Sequence, residues 1–134
     1  MIRAATYDSP AMAVVLVVDD DEFTCDAIRR LLGRMGYTTA CAHSGADALD
    51  LLAKVTPSVI VLDWMMPKMD GLEVLKKLRA DPKTKDVPVL IYSAADDAAM
   101  QRQAEKLGAK ECVLKSGGFY PLYERIERYA AAAR

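Results

Sequence analysis

Five short apolar runs, each followed by a stretch of helical periodicity, constrain this chain more than any other feature. They are VVLVV (14–18), YTTACA (37–42, the weakest), SVIVL (58–62), VPVLIY (87–92) and KECVL (110–114). Continuous apolar runs of this length suit strands covered on both faces. Between them, Phe23, Ala27, Ile28, Leu31, Leu32 and Met35 recur at helical spacing up to Gly36. Ser44 with Asp47 reads as a capping-box variant opening a helix that carries Leu49, Leu52 and Ala53 and closes by Pro57. Leu72, Leu75 and Leu78 line a helix from Gly71 to about Asp81-Pro82. Asp96 or Asp97 caps the next helix, with Met100, Ala104 and Leu107 inward and Gly108 at its end. Phe119, Leu122, Tyr123, Ile126 and Tyr129 stripe the last one.

This alternation predicts the α/β class, with a five-stranded parallel sheet under helices on both faces. Five strands are too few for an eight-stranded barrel, so an open, doubly wound, flavodoxin-like (βα)5 sheet of order 2-1-3-4-5 is expected. One domain spans 14–130, after a flexible leader (1–13) and before a short tail (131–134). At 134 residues the chain can bury a core without disulfides or a structural metal. With a net charge of −1, nothing in the totals suggests a nucleic-acid or membrane-surface binder, and no apolar run reaches membrane-spanning length. With no signal-peptide pattern, a cytoplasmic location is expected. Cys25, Cys41 and Cys112 form no CxxC pair and read as small core residues in a reducing compartment.

Polar residues gather where such a sheet binds ligands, at the carboxyl ends of its strands. Asp19, Asp20, Asp21 and Glu22 follow the first strand, Asp63 the third, Ser93 the fourth and Lys115 the fifth. In the order 2-1-3-4-5 the first and third strands are neighbours, so Asp19, Asp20 and Asp63 crowd one cleft. Carboxylates this close repel, and one takes up a proton unless a cation compensates. Mg²⁺ prefers oxygen ligands and keeps room for phosphate oxygen. A lysine and a hydroxyl opposite provide a point charge and a donor for a phosphoryl group, and a carboxylate can serve as the nucleophile. The residues alone therefore point to Mg²⁺-assisted phosphoryl acceptance. Asp21 reads as a helix cap, although the run of acids permits a slip of one. His43 has no assigned role, and Trp64 and Met66 read as packing or rim residues.

The segments VVDDDE, LDWMMPKMDG, IYSA and GAKECVLK, each at its own strand end, resemble the receiver domain of two-component response regulators from about Val14 to Tyr129. The resemblance implies that Asp63 is the phosphorylated aspartate. Asp20 would bind Mg²⁺ directly, Asp19 through water and Met65 through its backbone carbonyl. Ser93 would be the switch hydroxyl and Lys115 the phosphate's cation. The implied partners are a histidine kinase or phosphotransfer protein and a downstream protein target, with no direct nucleic-acid binding and no membrane insertion, as a monomer or weak dimer. The face for the target would include Arg102, Lys106, Lys110, Tyr123 and Arg125. The reading is of a single-domain regulator that is not a turnover enzyme. Its rivals are a receiver-like module that signals without phosphate and, third, a Mg²⁺-dependent aspartyl-phosphate phosphatase.

Three departures from the family pattern stand out. Ser116 replaces the proline that usually follows the lysine, and a trans peptide is expected before it because a cis bond to a non-proline costs several kcal/mol. Cys112 replaces the aromatic switch, leaving Tyr92 as a substitute. Met65 and Ala95 cannot orient a water by a side-chain hydrogen bond, which implies a long-lived phosphoryl group.

Overall fold

The computed structural model describes residues 13–133. The expected leader lies outside the described residues apart from Ala13, as does Arg134 of the expected tail. The elements are β1 (Val14–Val18), α1 (Glu22–Arg34), β2 (Thr38–Ala42), α2 (Gly45–Leu52), β3 (Val59–Leu62), α3 (Gly71–Ala80), β4 (Val89–Ser93), α4 (Ala98–Lys106), β5 (Glu111–Leu114) and α5 (Phe119–Ala133), with a 3₁₀ turn at Lys115–Gly117. The sheet has the expected order β2-β1-β3-β4-β5, and every strand pair is parallel. The backbone of α5 runs on through positions expected to form a tail, as far as Ala133.

Alternation along the strands divides the core in two. Leu16, Val18, Ile60, Leu62 and Ile91 pack beneath α2, α3 and α4. Val15, Val17, Val59, Val61, Leu90 and Tyr92 pack beneath α1 and α5. Both faces are covered, so a strand such as VIVL needs no polar residue, and each large side chain buried there contributes roughly 1.5–3 kcal/mol. No described helix is long and apolar enough to cross a membrane.

Side-chain caps set several helix starts. Asp21, Ser44, Asp70 and Asp97 accept backbone N–H groups in the first turns of α1, α2, α3 and α4. Asp21 caps α1 as expected, but the apolar stripe expected for α1 is corrected at three of its positions. Cys25, Ile28 and Leu32 face the core, whereas Phe23 is 86% exposed. At about 100° per residue, Phe23 lies roughly 200° round the helix from Cys25. Ala27 and Met35 are likewise exposed rather than inward. In α2, Ala48 is buried where Ala53 was expected, because the helix ends at Leu52, well before Pro57.

Arg79 fastens the amino-terminal end of the sheet. Its guanidinium donates to the carbonyls of Thr84, Lys85 and Val87 before β4 and of Leu107 and Gly108 before β5.

Candidate functional site

Strand register brings the expected residues to the opposite end. Val18 pairs with Ala42 and Leu62, Leu62 with Ile91, and Ser93 with Leu114. Asp19, His43, Asp63 and Lys115 each follow one of those strands. The ladder extends one residue further at two points: Asp19 donates its N–H to Ala42 at 3.0 Å, and Asp63 donates to Val18 at 2.9 Å. The two carboxylates therefore stand on sheet backbone.

Asp19, Asp20 and Asp63 offer carboxylate oxygens all within 4.8 Å of one another. Asp21 is turned away, accepting from Phe23 N at 3.0 Å and from the Thr24 hydroxyl at 2.9 Å. That resolves the slip of one: Asp21 caps the helix, and the cluster uses the two acids before it. Asp19 is 2% exposed and Asp63 6%, while Asp20 opens to solvent. Burial and then the charge of Asp19 push the Asp63 carboxyl up to about 6, against the pull of Lys115.

Lys115 reaches this cluster from the 3₁₀ turn. Its Nζ lies 2.7 Å from Asp19 Oδ2 and 3.6 Å from Asp63 Oδ2. Burial lowers its proton affinity, but the bond to Asp19 and the Asp63 charge outweigh that, so the ammonium is held charged. Asp19 is thus the closer partner, a ranking that sequence spacing could not supply. Among the described residues no peptide bond is cis, so Lys115–Ser116 is trans as expected.

Ser93 closes β4 and is 2% exposed. Its Oγ accepts from Ala95 N at 3.1 Å, so the hydroxyl is engaged with its own loop. Met65 donates its N–H to Asp63 Oδ1 at 3.3 Å, while its side chain is exposed at the rim. Trp64 and Met66 are buried packing residues. Cys112 is half-buried against the α2–α3–α4 core, and burial, with the Glu105 charge, pushes its thiol up to about 11. Tyr92, 7% exposed, faces the other core, with its hydroxyl 3.2 Å from the carbonyl of Gly118.

Some contacts escaped the sequence reading. Cys25 Sγ lies 3.5 Å from the Asp19 carbonyl and His43 Nδ1 lies 3.3 Å from the same oxygen, so both brace the acidic loop from behind. Neither Cys25, four residues after the Asp21 cap, nor His43 carried a sequence signal for this bracing. Gly71 also bears on the site. A Cβ there would fall 2.6 Å from both the Asp63 carbonyl oxygen and the Trp64 Cα, so only glycine lets α3 begin this close to the acid. On the expected partner face, Arg102, Lys106 and Lys110 are exposed. Arg125 is instead paired with Glu111 at 3.0 Å, and Tyr123 donates to Glu127 at 2.7 Å.

Comparison with known proteins agrees with this geometry. Residues 15–127 match the response regulator receiver domain. Response regulator MprA of Mycobacterium avium (strain 104) is 38% identical over 120 residues, covering 90% of this chain and 50% of that protein. The chain therefore spans about half the length of the curated relatives it matches. The receiver domain of Francisella response regulator 1452 is 32% identical with a TM-score of 0.83, over 91% of this chain and 99% of that one. TrrA of Thermotoga maritima, solved in complex with Mg²⁺ and BeF, is 29% identical with a TM-score of 0.78, over 88% of this chain and 99% of that one. The strand order, the acidic cluster at the strand ends and the family match agree: this chain belongs to the response regulator receiver domain family.

Proposed function

We propose that the chain accepts a phosphoryl group on Asp63 from a histidine kinase or phosphotransfer protein, in a Mg²⁺-dependent reaction, and signals through the resulting change of surface. The observation that carries this reading is the meeting of Asp63 with Asp19, Asp20 and the Lys115 ammonium, 3.6 Å from its Oδ2. Three carboxylates facing a single ammonium form an oxygen donor set with surplus negative charge, which fits a hard divalent cation. Asp19, Asp20 and Asp63 would hold it, with the Met65 carbonyl as a further oxygen. When bound, Mg²⁺ would neutralise phosphoryl oxygens and position them for in-line transfer.

The chain's own groups then divide the work. An Asp63 oxygen forms the new O–P bond while the P–N bond of a donor phosphohistidine breaks and the imidazole nitrogen leaves with the electron pair. Lys115 meets the negative charge of the transferred group, and Ser93 exchanges its bond with Ala95 for a phosphoryl oxygen. With Met65 and Ala95 flanking the site, neither side chain aims a water at phosphorus, so the product persists beyond seconds. The chain acts as a cytoplasmic switch with a protein target rather than as a turnover enzyme.

Incubation with Mg²⁺ and a small phosphodonor, followed by intact-mass measurement, tests this. One phosphoryl adduct is expected, lost in Asp63→Asn and in EDTA. An unmodified wild type that still captured its target would favour the phosphate-independent module instead.

A further inference from the structure

The segment that delivers Lys115 to the cluster has little of its own to hold it. Ser116, Gly117 and Gly118 are exposed, and two of the three are glycine, the residue with most conformational freedom to lose. Gly118 sits at φ 81°, with nothing within 4 Å of where a Cβ would be. Apart from Pro121, whose ring would lie 3.8 Å from a Cβ at Gly117, little packing fixes the turn.

One buried side chain in β4 touches both of its ends. The Tyr92 hydroxyl donates to the Gly118 carbonyl at 3.2 Å, and Gly118 N in turn donates to the Lys115 carbonyl at 3.1 Å. Beneath the other end, the Tyr92 ring centre lies 5.9 Å from Lys115 Nζ, within range of a cation–π attraction. The ring belongs to the α1–α5 core, with Val113 as its partner on β5 and Phe119 packed against the same cluster.

We infer that Tyr92 is the positioning residue of Lys115, a strap that closes the Lys115–Gly118 turn and holds the ammonium against Asp19 and Asp63. This assigns Tyr92 a static role in place of the switching role expected from the sequence, and it rests on the proposed phosphoryl-accepting function of the site. Without the hydroxyl, the turn loses the hydrogen bond that ties its end to the sheet, and Lys115 spends less time where a phosphoryl group needs it.

The test uses Tyr92→Phe, which removes only the hydroxyl. Phosphoryl uptake from a small phosphodonor in saturating Mg²⁺ should slow about three- to tenfold, the worth of one ordinary hydrogen bond. Hydrogen exchange at the amides of Ser116–Gly118 should quicken by a similar factor. In a Lys115→Met background the added loss of uptake on Tyr92→Phe should shrink below about twofold, since Tyr92 acts through Lys115. A general loss of folding stability would not produce that last result. Unchanged exchange, unchanged uptake, or an equal loss in the Lys115→Met background would each overturn the strap. Should Tyr92→Phe not fold, Tyr92→Met is read by the same three measurements. A wild type that takes up no phosphoryl group sinks the reading of the site, and the exchange measurement alone then decides the strap.

Discussion

Asp63 and Lys115 face each other across 3.6 Å, yet the loops that carry them are held in different ways. The Asp63 loop is tied at several points, although Met65, Pro67 and Lys68 are exposed. Its backbone continues the ladder to Val18, Trp64 and Met66 are buried on either side of Met65, and Gly71 donates to the Trp64 carbonyl at 2.9 Å. Asp70 caps the helix that follows. The Lys115 loop has exposed residues, two glycines and one phenol. The Asp63 carboxylate is thus held through backbone, while the Lys115 ammonium is placed by side-chain contacts. Such a division would suit the phosphoryl acceptance proposed above, in which Asp63 stays put while Lys115 turns to meet the incoming group.

The glycines offer the sharpest way to break this contrast. Gly71→Ala forces a Cβ into backbone atoms that cannot step aside and should cost about 3 kcal/mol in a denaturant titration. A loss near zero would mean the Asp63 loop is looser than its contacts imply.

Next in size is the cost of holding Asp63 ionised in EDTA. The folded carboxyl keeps its proton up to about pH 6, the unfolded one only to about 3.8. Between those values the folded chain binds more protons, so this group's contribution to stability falls as pH rises through the window and is fully unfavourable above it. Asp63→Asn should therefore stabilise the metal-free protein by about 1–3 kcal/mol at pH 8, with the gain fading below about pH 4. Thermal melts at the two pH values check this, and a destabilised variant at pH 8 would contradict it.

On the Lys115 side, Gly118→Ala has free space but the wrong φ, and should cost only about 1 kcal/mol. A cost equal to that of Gly71→Ala would erase the distinction between the loops. Smallest of all, Phe23→Gln should change stability by less than about 0.5 kcal/mol, because the ring lies outside the core.

Phe23 also marks where reading the sequence stopped. The strands were legible because VVLVV and SVIVL are short, β-branched apolar runs bounded by polar or turn residues, which suits a sheet covered on both faces. The caps at Ser44 and Asp97 sit where short polar side chains precede apolar stripes. The start of α1 was harder: Asp21 caps it and Ile28 and Leu32 face inward as expected, but Phe23, Ala27 and Met35 do not. The small, weakly apolar Cys25 gave no hint that it, rather than Phe23, was the inner anchor. Asp63, Asp19, Asp20 and Lys115 could be brought to one cleft from strand order alone. What no spacing encodes is which carboxylate the ammonium prefers, or that Tyr92 reaches Gly118. Those depend on side-chain geometry across segments far apart in the chain.

Arg79, at the other pole, completes the picture. There one guanidinium already gathers five carbonyl oxygens from the entries to β4 and β5 and rivets them to the end of α3. The molecule is sewn shut by a resident cation at one pole and carries a cluster of acids at the other. If the proposed phosphoryl group arrives among those acids, the fastened pole offers it little give, and the rim and outer helices are the natural place for a response.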